Sequence, residues 1–64
     1  MTGIYFVTFR ENAGQTLRIG RTFSRKGNAE RELKAARRAG YVDIQMHYGM
    51  SIPKDTLREA GITQ

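Results

Sequence analysis

An α+β fold with the order β-β-α-β follows from three features of the 64-residue sequence. The run Gly-Ile-Tyr-Phe-Val-Thr-Phe at positions 3 to 9 is apolar on both alternating faces, with Ile4 and Phe6 on one side and Tyr5, Val7 and Phe9 on the other. Such a strand belongs in the middle of a sheet, with neighbours on both edges. A second strand-like run follows a short polar stretch, and a third follows a segment of helical composition. Joining the second strand to the third through a helix makes those two parallel to each other. Placing strand one between them gives a three-stranded antiparallel sheet of order 2-1-3 with one covering helix.

The first strand is predicted from Gly3 to Arg10. Glu11 to Gln15 is polar, and Gly14 supplies the positive φ that a hairpin loop requires. Strand two runs from Thr16 to Phe23, where Arg18 and Arg21 suit an edge that meets water. Ser24 and Asn28 are both candidate caps for the helix; Asn28 is favoured because Gly27 interrupts a helical turn, so the helix is predicted from Ala29 to Ala39. Its inward stripe is Ala29, Leu33 and Ala36, small enough to lie close on a sheet, and Gly40 stops it. Tyr41 to Tyr48 alternates cleanly: Val42, Ile44, Met46 and Tyr48 against Tyr41, Asp43, Gln45 and His47. Pro53 and Gly61 bracket a short final helix from Asp55 to Ala60. The whole chain, residues 1 to 64, reads as one small basic domain.

Composition narrows the chemistry. There is no cysteine and only one histidine, so neither a disulfide framework nor a thiolate metal site is available, and no metal or other cofactor is expected. No apolar run reaches the roughly 20 residues of a membrane span, and the start of the chain lacks a signal-peptide pattern, so a cytoplasmic location is expected. Eleven basic residues against six acidic ones give +5, and the excess is mostly arginine, whose planar fork suits phosphate and carboxylate.

A basic surface on so small a body points to a polyanionic partner, nucleic acid first and an acidic protein surface second. The candidate contacts are Arg18, Arg21, Arg25 and Lys26 on strand two and the loop after it, with Arg31, Lys34, Arg37 and Arg38 on the helix. Arg31, Lys34 and Arg38 form an outward ridge. No serine, cysteine or second histidine accompanies His47 in a nucleophile pattern, so a non-enzymatic binding protein is expected, monomeric or weakly dimeric. The alternative partner surface is the sheet face away from the helix, where Tyr5, Val7, Phe9, Tyr41 and His47 are expected to form an apolar patch with a charged rim. That patch suits a small modulator docking on a larger enzyme, of the kind viruses direct at their hosts.

Gly3-Ile4-Tyr5 in the first strand and Arg18-Ile19-Gly20 in the second resemble the GIY-YIG nuclease family, over roughly the first 50 residues. The resemblance implies a small antiparallel sheet followed by a helix, and metal-dependent cleavage of phosphodiesters. The chain departs from the family pattern at three places. Arg18 stands where the second motif has tyrosine; Asn28, between Arg25 and Arg31, stands where an arginine opens the helix. Glu59 is the only acid available for the metal-binding position. A degenerate or truncated nuclease is therefore the third reading.

Overall fold

The computed structural model describes residues 3–62. Its elements are β1 (Ile4–Arg10), β2 (Arg18–Phe23), α1 (Lys26–Arg38), β3 (Val42–Gly49) and α2 (Lys54–Glu59). The sheet has the order β2-β1-β3, antiparallel at both contacts, as the two-sided apolarity of β1 requires. Gly14 at φ +86°, Gly40 at +81° and Gly61 at +77° all take the left-handed conformation at the predicted stops. Both helices end in the same motif: Tyr41 N–H donates to Ala36 O at 3.1 Å, and Ile62 N–H donates to Leu57 O at 2.9 Å. Each bond wraps around a glycine that tolerates the reversed turn.

The face that α1 covers is the reverse of the expected one. A register shift between Phe6 and Thr8 sets Val7 against both Gly20 and Arg21, so these two project on the Val7 side. Glu32 of α1 reaches that side, where its carboxylate accepts a bond from Arg21 N–H at 3.1 Å. Val7 is accordingly 0% exposed, beneath Ala29 and Ala36. With both faces of β1 apolar, hydropathy alone does not choose between them. Tyr5, Val7, Phe9, Tyr41 and His47 consequently do not form an open patch. Val7 is core, Phe9 stacks on Tyr41 at 4.6 Å on the α1 side, and His47 stacks on Phe6 at 4.9 Å on the other side.

A second irregularity lies between β1 and β3. Asp43 takes φ +53°, and the register shifts between Thr8 and Arg10. The shift changes the phase of β3 at its start, so Tyr41 joins the Phe9 side and Val42 pairs with Arg10. Aspartate tolerates the left-handed conformation, and Arg10 Nε holds its carboxylate at 3.2 Å.

Gly3 is required by packing and not by backbone conformation, and Gly20 leaves the space that the Glu32 carboxylate occupies. A Cβ on Gly3 meets Gly49 O at 2.8 Å and the Tyr48 ring at 2.8 Å, where Gly3 N–H donates to Tyr48 Oη at 3.2 Å. A Cβ on Gly20 overlaps the Glu32 carboxylate. Gly3→Ala meets a backbone oxygen that has nowhere to go, and is expected to cost about 1–3 kcal/mol. A lowered urea midpoint at unchanged slope is the result to look for.

Candidate nucleic-acid interface

α1 is longer at its start than predicted, and this reshapes the site. It begins at Lys26 with Arg25 as its cap, in extended conformation and without a side-chain capping bond. Asn28 is therefore inside the first turn. Ala29 N–H donates to Arg25 O at 3.4 Å, and Ala29 is 0% exposed. Seating that residue against the sheet as part of a complete turn outweighs the roughly 1 kcal/mol cost of a helical Gly27. With this start Glu30 and Glu32 lie beyond the first turn, which carries no acid. Two cations, Arg25 and Lys26, stand there instead, at the positive end of the helix dipole. That arrangement disfavours the isolated fold and favours an anion.

Around the helix, Ala29, Leu33, Ala36 and Glu32 face the sheet, and Arg31, Lys34 and Arg38 point to solvent. Glu32 marks the β2 flank, so Lys26, Glu30 and Arg37 occupy the flank towards β3. Arg21 stands beside α1 because the β2 bulge turns it to that side. Arg21, Arg25, Lys26, Arg31, Lys34, Arg37 and Arg38 are all exposed. Among the described residues the ion pairs are Arg10–Asp43 and Arg18–Glu11, so none of these seven is engaged in one. Arg18, also exposed, differs from these seven in being paired: its Nη1 lies 3.1 Å from Glu11 Oε1 across the hairpin. Six basic and two acidic residues between Arg25 and Arg38 leave +4 of the chain's +5 on this segment.

The opposite face carries a feature that sequence reasoning missed. Thr8, Arg10, Leu17, Asp43, Gln45 and His47, with Thr56 and Glu59 of α2, line a hollow of about 310 Å³. Thr8 is 2% exposed, and its hydroxyl lies 2.8 Å from His47 Nε2. Arg10 donates to Gln15 O at 2.6 Å as well as pairing with Asp43, so its guanidinium is engaged within the chain. The hollow offers hydrogen bonds and little net charge. Its only sequence signal is Asp43, a poor strand former near the start of a strand.

This geometry bears on the nuclease motifs. Tyr5, packed against Tyr48 with the rings tilted and their centroids 4.4 Å apart, and Arg18, paired with Phe9, belong to the α1 side of the sheet. Glu59 borders the hollow on the other side. The two glycines of the motifs each have a packing role of their own, as described above. Among the described residues no three His, Cys, Asp or Glu side chains are grouped to hold a metal ion. No described helix is long and apolar enough to cross a membrane. Comparison with protein-family models, with curated proteins and with solved structures gives no match to this chain.

Proposed function

We propose that the protein binds the phosphate backbone of nucleic acid, without catalysis, through α1 and the loop that leads into it. The observation that carries the reading is the concentration of charge: +4 of +5 on one segment, with seven exposed cations outside any ion pair among the described residues. From Lys26 to Arg38 the helix rises about 18 Å, roughly five phosphate steps along one strand of a duplex. The free amides of the first turn add to the attraction where Arg25 and Lys26 stand. The nuclease reading fits less well, because Glu59 is separated by the sheet from Tyr5 and Arg18.

Anisotropy of a labelled duplex and a labelled single strand, titrated across salt, tests the reading. Three to five phosphate contacts correspond to a log–log slope of about −3 to −5. Absence of binding at 50 mM salt, or a slope near zero, rejects it. Gly27 provides a sharper test, since it has open space around its Cβ position and no positive φ. Gly27→Ala is expected to stabilise the fold by about 0.5–1 kcal/mol by removing a helical glycine. The same change is expected to weaken binding severalfold, because a methyl group there holds a phosphate away from the first-turn amides. A variant that gains both stability and affinity places the contact elsewhere on α1.

A further inference from the structure

We propose that the outer edge of β3 pairs with β3 of a second copy, antiparallel about a two-fold axis through Met46. The sheet has two edges, and they differ. Each edge strand carries one bulge, but β2 has only six residues and exposed Arg18 and Arg21, which discourage strand addition. β3 has eight residues and contains neither proline, lysine nor arginine, and its backbone bonds only to β1 among the described residues. Among the described residues, three of the four large apolar side chains left exposed lie on it or directly after it: Val42 at 36%, Tyr48 at 62% and Met50 at 64%. Its single charge, Asp43, is already paired with Arg10. In a chain of net charge +5 this strip has no lysine or arginine of its own, so the repulsion that a second copy meets comes from the α1 flanks and not from the strand edge.

The faces restrict the register, and centring it on Met46 sets the apolar residues of β3 opposite one another. A two-fold axis perpendicular to the sheet keeps α1 of both copies on one side, so residues of the same face must pair. Ile44, Met46 and Tyr48 belong to the α1 side, and Gln45 and His47 to the other. Met46 then meets its own counterpart, Ile44 meets Tyr48 of the second copy, and Gln45 meets His47. The product is a six-stranded sheet with an apolar row of three pairs across the axis. The two α1 flanks that carry Lys26 and Arg37 approach each other above that row. Their repulsion is screened by salt, so the dimer tightens as salt rises, opposite in sign to binding of a polyanion. The pairing stands whether or not the nucleic-acid reading does.

The native chain has no cysteine, which makes disulfide trapping clean. Residues opposed in an antiparallel pair have Cα atoms about 4.5–5.5 Å apart, within the span of a disulfide. Met46→Cys is expected to give a covalent dimer in a glutathione redox buffer at least tenfold faster than Met50→Cys. The thiol at position 50 is the more exposed, but in this register it lies about 26 Å from its counterpart. Sedimentation of the native chain without nucleic acid is expected to show a monomer–dimer equilibrium shifting towards dimer with added sodium chloride. Equal cross-linking of the two variants overturns the proposal. So does a native chain that stays monomeric at roughly millimolar concentration, which assigns the edge to a strand of some other protein.

Discussion

Reversing Arg31, Lys34 and Arg38 to glutamate is expected to weaken binding to a labelled duplex by on the order of 10²–10³-fold at 50 mM salt, while the fold stays intact. Each lost phosphate contact removes about 0.9 from the magnitude of the log–log salt slope, so removing three takes most of a slope of −3 to −5. Reversal goes beyond neutralisation, because three new carboxylates then face the phosphates. The three side chains point away from the sheet and take part in no ion pair among the described residues. Surface changes of that kind stay within about 0.5 kcal/mol each, so far-UV circular dichroism and the urea midpoint are expected to hold. Arg18→Glu serves as the comparison. Its partner is Glu11, so reversal costs the hairpin a surface pair and changes affinity only a few fold. If the triple variant binds as the native chain does, the ridge is a solvated helix face and the proposed function fails.

Much of this molecule was legible in its residues, and the parts that were not share a cause. Strand order followed from a central strand greasy on both sides, and the three glycine stops followed from the conformations only glycine takes without strain. The same two-sided apolarity hid which face α1 covers, since a helix lined with alanine fits either side. The start of α1 was lost because Gly27 reads as a breaker locally, whereas burial of Ala29 is a tertiary gain that propensity does not contain. The bulge at Asp43 was hidden by an alternating pattern that looked regular. The hollow behind His47 draws Thr8, Leu17, Gln45 and Glu59 from four separate segments, and no local pattern announces such a meeting. The basic residues were the easiest to list; their grouping depended on the longer helix and on the β2 bulge that turns Arg21 towards it.

Phe6→Ala is expected to remove most or all of the stability of this domain. Phe6 is 1% exposed, stacked on His47 and paired with it across the β1–β3 ladder. Truncating a buried phenylalanine costs about 3–5 kcal/mol, the lost transfer energy plus the cavity left behind. A 64-residue chain holds on the order of 3–10 kcal/mol in total, so the variant is expected to be substantially unfolded at 37 °C. Phe6→Leu keeps most of the volume and is expected to cost less than about 1.5 kcal/mol. Urea titration followed by circular dichroism separates the two, and a Phe6→Ala midpoint equal to that of the native chain contradicts the burial of this side chain. The consequence reaches the interface, because α1 has 13 residues and a helix of that length is marginal in water on its own. The ridge of Arg31, Lys34 and Arg38 exists only while the sheet holds the helix beneath it. Phe6→Ala is therefore expected to lose binding and helicity together, whereas charge reversal on the ridge loses binding alone.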